Sequence, residues 1–247
     1  MQKIVLLSIA LFFLAGCGSS NGNSSPAQDG KGSIDIVNYL PASNMIKHFS
    51  YGASSIYGGM GTRTITVSNN TITIIQQSSG LYPLPTPTVT QNKSITYNDM
   101  NITGFYEDII QSIDPIPPHT VFRHVDANEL LPVETHEFTY PYYDVDIGEA
   151  VGTETLVKTT ECFYAGIKDK VLKNEIVIKD GGKYLLIECT ETHTYTYTID
   201  EAYKEVVKIE NRSDVTKYFH YYEKDIGLIY RYSSDDYVYS VNEIDDI

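Results

Sequence analysis

One long segment, from Lys183 to about Ile199, alternates between polar and apolar side chains. Its even positions from Thr190 to Thr198 are all threonine, and most of its odd positions are apolar. A period of two puts neighbouring side chains on opposite faces, which is typical of an antiparallel strand with one buried face. Strands of globular proteins are usually about 5–6 residues long. The segment therefore predicts one long, half-buried antiparallel strand.

Further segments rich in β-branched and aromatic residues follow one another along the chain, without a long amphipathic helix, a βαβ alternation or a solenoid repeat. We therefore predict a mainly β fold: a single domain over residues 34–247, built as an antiparallel meander of half-barrel or sandwich type with at most one or two short helices. Its predicted strands are 62–67, 71–75, 120–125, 155–167, 175–179, 183–199, 215–222, 228–232 and 236–243.

Two local questions stay open at this point. In residues 200–210, Asp200 could cap a helix, whereas Val206–Ile209 could form a strand, which we slightly prefer. Cys162 and Cys189 are separated by the predicted strand 175–179. Next-nearest strands lie about 9.6 Å apart, too far for a disulfide. A bridge between the two thiols therefore requires a different pairing of strands.

Tyrosine is unusually frequent, with 21 residues and no tryptophan. If Ser233–Asp236 forms a tight turn, Tyr232 faces Tyr237. The same register continued into the preceding strand puts six tyrosines on one sheet face: Tyr218, Tyr222, Tyr230, Tyr232, Tyr237 and Tyr239. The opposite face receives Phe219, Tyr221, Ile229 and Val238. A face of this kind is either a tyrosine-rich core or the lining of a cavity for a hydrophobic ligand.

The N-terminus has the pattern of an export signal. Lys3 precedes an apolar run from Ile4 to Leu14, which is shorter than the roughly 20 residues needed to span a bilayer. The run closes on Leu14-Ala15-Gly16-Cys17, which resembles the lipobox of bacterial lipoproteins. The resemblance implies that residues 1–16 are a signal peptide, that Cys17 carries acyl chains such as palmitate, and that residues 17–33 are a flexible tether.

The resemblance also implies a location. Such proteins are lipid-anchored in the cell envelope, with the membrane as a partner through Cys17. In Gram-negative lipoproteins a glycine at the position of Gly18 is compatible with the outer membrane, on its periplasmic or surface face.

Two segments of the domain resemble uncharacterised bacterial outer-membrane-type lipoproteins. Near the start, Asn38-Tyr39-Leu40-Pro41 is followed by Phe49-Ser50-Tyr51. Near the end, Tyr203-Lys204-Glu205-Val206-Val207-Lys208-Ile209 precedes Tyr221-Tyr222-Glu223-Lys224-Asp225-Ile226-Gly227-Leu228-Ile229. The resemblance implies an antiparallel, β-rich envelope domain and brings no activity with it.

Charge and motifs exclude several functions. The formal net charge is −14, which disfavours nucleic acid as a partner. Motifs for nucleophile elbows, phosphate loops and zinc proteases are absent.

Asp144–Glu149 starts like a calcium loop but lacks the acidic ligands that a calcium loop has at its later positions. His119 and His124 fall on opposite strand faces. Glu191 and His193 point the same way and could act as an acid–base pair or metal ligands, or could form a paired polar patch.

These observations favour a lipid-anchored envelope protein that binds or scaffolds other envelope components without catalysis and without a cofactor. An alternative is a carrier of a hydrophobic or lipidic ligand on the tyrosine face. A third hypothesis is a hydrolase or metal enzyme that uses Glu191 and His193.

Overall fold

The structure is a computed structural model that describes residues 34–52, 58–80, 88–105 and 119–247. The predicted signal peptide (1–16), Cys17 and the tether (17–33) lie outside these ranges. The strands are Ile34–Asp35 (β1), Met45–Gly52 (β2), Gly58–Ser68 (β3), Thr71–Gly80 (β4), Val89–Tyr97 (β5), Asn101–Thr103 (β6), Thr120–Phe122 (β7), His124–Val125 (β8), Glu134–Asp144 (β9), Glu149–Lys173 (β10), Ile176–Ile199 (β11), Arg212–Glu223 (β12), Gly227–Ser233 (β13) and Val238–Asp246 (β14). Short 3-10 helices span Ile36–Tyr39 and Glu201–Tyr203.

Twelve strands form one open antiparallel sheet in the order β7-β6-β5-β4-β3-β2-β14-β13-β12-β11-β10-β9. The chain starts in the middle at β2, meanders outward to the edge strand β7, and then passes to the opposite edge strand β9. From there it meanders back to β14, which pairs with β2. Strands β1 and β8 form a separate two-stranded sheet. The prediction of a mainly β antiparallel meander is confirmed.

One face of the sheet, which we call the inner face, surrounds the main core. Buried residues of a single cluster come from both halves of the sheet, so the sheet curls around them. This cluster includes Met45, Ile65, Ile72, Ile95, Ile102 and Val121 from β2–β7, and Cys162, Leu185, Tyr222, Leu228 and Tyr239 from β10–β14. Ile36, Leu40 and Phe105, which lie outside the strands, pack into the same cluster.

A smaller core lies on the outer face, where the tip of the β10–β11 hairpin folds over β12 and β13. Val171 packs there with Tyr221 and Tyr230. Backbone hydrogen bonds join the side chain of Tyr221 to Leu172 and that of Tyr232 to Asn174. The folded tip therefore covers tyrosines that would otherwise be exposed.

The hairpin β10–β11 corrects the predicted strand order. Its turn is Asn174-Glu175, with φ of 47° and 70°, as a two-residue hairpin turn requires. The predicted strand 175–179 is not a separate strand: Glu175 lies in the turn and residues 176–179 begin β11, which also contains Asp180-Gly181-Gly182. Cys162 consequently pairs directly with Cys189 across the hairpin, with their Cα atoms 4.0 Å apart, and the two form a disulfide. The predicted separation of the thiols was wrong.

Two other local predictions have clear outcomes. The hairpin over residues 62–75 is confirmed, and its turn residues Asn69 and Asn70 both have positive φ. The preference for a strand in 200–210 was wrong, because the segment forms the 3-10 helix Glu201–Tyr203 and then irregular structure. Val207 is buried there whereas Val206 is exposed, so the segment has one apolar anchor and no paired strand partner among the described residues.

Candidate binding site at the sheet seam

The two edges of the curled sheet approach each other at one place, which we call the seam. Strand β7 forms one edge, and the segment 128–134 leading into β9 forms the other. His119, just before β7, contacts Glu134, the first residue of β9, with 2.5 Å between Nε2 and Oε1. A contact between an imidazole and a carboxylate thus links the edges where sheet hydrogen bonds stop.

A cleft of about 280 Å³ opens at the seam. Its mouth carries two exposed apolar side chains, Phe122 and Leu130, which are 64% and 73% exposed. Its interior is lined by buried apolar side chains: Val121, Val125 and Leu131. The remaining lining residues are Asn101, Thr120, Glu129, Pro132 and Tyr164. We refer to this cavity as the seam cleft.

The backbone of β7 has free hydrogen-bonding groups at the seam. Gly104 N donates to His119 O, and Arg123 N donates to Met100 O. In an antiparallel ladder, residue pairs that exchange backbone hydrogen bonds alternate with pairs that do not. Val121 belongs to a hydrogen-bonded pair with Ile102 of β6. The backbone N–H and C=O groups of Thr120 and Phe122 therefore point away from β6. In the described part of the chain these groups have no backbone partner.

The opposite edge of the seam shows the same feature. Leu131 N donates to Cys162 O, and Tyr164 N donates to Glu129 O. Leu130 lies between these bonds, opposite Phe163, so its own N–H and C=O point away from β10. Both walls of the seam cleft therefore offer strand edges that no described residue pairs with.

Tyr164 gives the seam cleft a buried polar group. Only 1% of the residue is exposed, and its hydroxyl has no hydrogen-bond partner among the described residues. Burial and then the nearby Glu129 carboxylate raise the pKa of Tyr164, so its hydroxyl is neutral at physiological pH. An unsatisfied buried hydroxyl costs about 1–3 kcal/mol.

A polar row lies farther along the same inner face. Residues Lys158, Thr160, Cys162 and Tyr164 alternate with outward-facing residues on β10, so they share this face. Lys158 Nζ lies 2.6 Å from Glu191 Oε2, and His193 Nε2 lies 2.8 Å from Glu191 Oε1. We define the polar row as His119, Glu134, His136, Lys158, Glu191 and His193.

The contact between Glu191 and His193 agrees with the alternation of β11, but Lys158 was not identified from the sequence as a third member. Lys158 pairs with His193 across the β10–β11 hairpin. That register can be derived only when the turn is known to be Asn174-Glu175. Each oxygen of Glu191 has its own cationic or imidazole partner, and the side chain is 9% exposed.

Burial and then Glu191 raise the pKa of Tyr218 to about 12. Among the described residues, no three His, Cys, Asp or Glu side chains are grouped so as to hold a metal ion.

The six tyrosines predicted to share a face are divided between the two cores. Tyr222 and Tyr239 belong to the inner cluster, with Tyr218 and Tyr237 packed against it. Tyr230 and Tyr232 belong to the outer cluster. None of the six lines the seam cleft.

The division follows from two register shifts. Tyr232 pairs with Val238, so the loop between them has five residues, Ser233–Tyr237. A loop with an odd number of residues places the side chains of the second strand on the opposite face from a loop of two or four residues. On the other side of β13, Tyr221 pairs with Tyr230 but Tyr222 pairs with Leu228, so a bulge at Ile229 shifts the ladder by one. The predicted Tyr222–Leu228 pair is confirmed, and the common face was wrong.

The acidic loop singled out in the sequence closes the β9–β10 hairpin. Asp144 Oδ1 accepts hydrogen bonds from the backbone N of Asp146 and of Ile147. The carboxylate of Asp144 therefore stabilises the turn itself.

No helix in the described ranges is both long enough and apolar enough to cross a membrane.

Neither a protein-family model nor a curated protein sequence matches the chain. Among solved structures, one similar chain is a Bacteroides fragilis protein described as exported, with a YmcC-like fold. It is 7% identical, with a TM-score of 0.39, and the match covers 84% of this chain and 98% of that one. Another is a Parabacteroides distasonis protein described as a lipoprotein. It is 10% identical, with a TM-score of 0.36, and the match covers 83% of this chain and 97% of that one.

Proposed function

We propose that this protein is a lipid-anchored domain of the cell envelope that binds another envelope component, without catalysis, through the seam cleft. The observation that carries the proposal is the cleft itself. It combines apolar walls with two strand edges that have no backbone partner in the part of the chain that the structure describes. A pocket with apolar walls and few polar groups is the usual form of a binding site.

The anchor is supported by the sequence. The lipobox pattern at Cys17 follows a positively charged start and a short apolar run, and a polar tether precedes the first described strand. More than one acyl chain is needed for stable attachment, which lipoprotein processing supplies. Gly18 favours the outer membrane as the destination in a Gram-negative cell.

Binding of a protein is favoured over carriage of a lipid by the packing of the tyrosines. Those that would line a carrier cavity pack instead against protein side chains in two cores. The seam cleft, at about 280 Å³, lies at the small end of the roughly 300–1,000 Å³ that is usual for ligand pockets. The polar row is closed by its own ion pairs, which supports a structural role for Glu191 and His193.

Two measurements test the proposal. Cys17→Ser should release the full chain from the membrane fraction, whereas the neighbouring Ser20→Ala should leave it there; retention of Cys17→Ser would contradict the anchor. Native mass spectrometry of the detergent-extracted protein should show the polypeptide, with its N-terminal acyl chains, and no additional lipid. A stoichiometric lipid that is lost in Phe122→Asp would favour the carrier alternative instead.

A further inference from the structure

We propose that the occupant of the seam cleft is an extended peptide segment of a partner protein, which pairs as an additional strand with β7 and inserts one large aromatic side chain into the cleft. This inference rests on the proposed function, because it names the chemistry that the proposed binding site recognises. The segment carries lysine or arginine beside the inserted residue.

The first argument is the free edge of β7. Thr120 and Phe122 present backbone N–H and C=O groups to the seam, and the described residues offer them no partner. An exposed strand edge is a template for an added strand, and main-chain bonds then supply affinity regardless of sequence. A small molecule would leave most of these groups unused.

The second argument is the shape of the seam cleft beside this edge. Phe122 and Leu130 flank the mouth, and Val121, Val125 and Leu131 line the interior. In strand addition, every second side chain of the peptide points into such a pocket and provides specificity. A volume of about 280 Å³ suits one large side chain better than a whole lipid.

The third argument concerns Tyr164, which lines the seam cleft while its hydroxyl is buried inside the protein. That hydroxyl is not accessible to a ligand, so the inserted side chain meets the apolar walls formed by Val121, Val125 and Leu131. An aromatic ring is a large apolar group that suits such walls.

The fourth argument is charge. The chain has a formal net charge of −14, Glu129 lines the seam cleft, and Asp126 is exposed on the same loop. An acidic surface attracts basic segments and repels acidic ones. A partner segment with lysine or arginine on either side of its aromatic residue is therefore favoured.

Selection from a random nine-residue peptide display library tests the inference, with the detergent-extracted full chain as the target. Enriched peptides should share one aromatic residue, an apolar residue at every second position and basic flanks. Their affinity should fall at least tenfold with Phe122→Asp on the protein, and also when alternate peptide nitrogens are methylated. Val145→Asp, in the exposed β9–β10 turn, is the matched control and should bind as the wild type does.

A second variant tests the other side of the cleft mouth. Leu130→Asp should also weaken the enriched peptides at least tenfold, because Leu130 flanks the mouth opposite Phe122. Equal affinity of methylated and unmethylated peptides, or the absence of any peptide sensitive to Phe122→Asp, would overturn strand addition.

Other occupants give different results. A bound lipid that is lost in Phe122→Asp, or a concentration-dependent dimer that the same substitution dissociates, would also overturn the peptide inference. Either result would leave the seam cleft as a binding site, so a failure of the inference is distinguishable from a failure of the proposed function.

Discussion

His119 and Glu134 hold together the two edges of a sheet that is otherwise open. Their side chains meet at 2.5 Å although β7, which His119 precedes, and β9, which Glu134 begins, are eleven positions apart in the sheet order. The chain crosses between these edges in the short segment 123–133, so this connection and this contact both join the two edges. The seam cleft lies beside this contact.

Removal of the His119 side chain should loosen the seam selectively. In His119→Ala we expect amide hydrogen exchange in β7 and in residues 129–131 to become at least tenfold faster, because local opening no longer breaks this contact. The global stability should fall by only about 1 kcal/mol, as is usual for a partly exposed pair. His48→Ala removes the exposed pair with Asp245 in the middle of the sheet and should leave exchange at the seam unchanged. Uniform acceleration across the sheet would contradict this role.

The disulfide should be a major contributor to stability. Cys162 and Cys189 are 27 residues apart in sequence. Closure of a loop of this length restricts the unfolded chain by about 3–4 kcal/mol in the chain-entropy account. The double variant Cys162→Ala/Cys189→Ala should lower the free energy of unfolding by a similar amount in urea titrations. Reductant should destabilise the wild type but not the double variant, and equal sensitivity of both proteins would contradict the bridge.

Buried tyrosines should make the fold sensitive to alkali. Burial raises the pKa of Tyr221 to about 12, and burial followed by Glu191 does the same for Tyr218. The folded-state pKa values exceed the unfolded value of about 10. The native state therefore keeps protons that the unfolded state loses, and the stabilisation is complete below pH 10 and lost as pH rises towards 12.

Thermal unfolding between pH 8 and 12 provides the measurement. The melting temperature should be nearly constant to about pH 9.5 and should fall steeply above it. Tyr218→Phe and Tyr221→Phe should each make the fall shallower, whereas Tyr143→Phe, at an exposed site on β9, should not. Ultraviolet absorbance showing all tyrosines ionised at pH 10.5 in the folded protein would refute the assignment.

Lys158 should matter more than the exposed lysines of the sheet, since it pairs with a nearly buried carboxylate. Lys158→Met leaves one oxygen of Glu191 without its ammonium partner and should cost about 2 kcal/mol, between the values for exposed and fully buried pairs. Lys170→Met breaks the exposed pair with Asp180 and should cost clearly less than Lys158→Met, because solvent screens the pair. Equal costs for the two variants in urea titrations would show that the polar row has no special role.

The strand content was predictable because β strands leave a period of two in the sequence. Lys183–Ile199 and the hairpin around Asn69 and Asn70 were recognised from this pattern. Register was less predictable, because it depends on turn length. The turn at Asn174-Glu175 lacks glycine, so the sequence suggested a turn at Asp180-Gly181-Gly182 instead, and the positions of Cys162 and Lys158 were misjudged with it.

The seam cleft could not be predicted at all. Phe122, Leu130 and Tyr164 come from three segments that meet only because the sheet curls, and curvature results from bulges and packing that leave no local pattern. By contrast, the pairing of Glu191 with His193 needed only the alternation of one strand. Features that depend on one strand were therefore predictable, whereas features that depend on the long-range assembly of the sheet were not.

Site-specific photocrosslinking in intact cells tests the central claim most directly. A photoreactive amino acid at Leu130 reports on the mouth of the seam cleft, and the same group at Val145 reports on an exposed turn away from it. We expect a discrete protein adduct at Leu130, none at Val145, and loss of the adduct when Cys17→Ser removes the anchor. Equal labelling at both positions, or an adduct that persists without Cys17, would contradict a membrane-tethered domain that binds its partner at the seam.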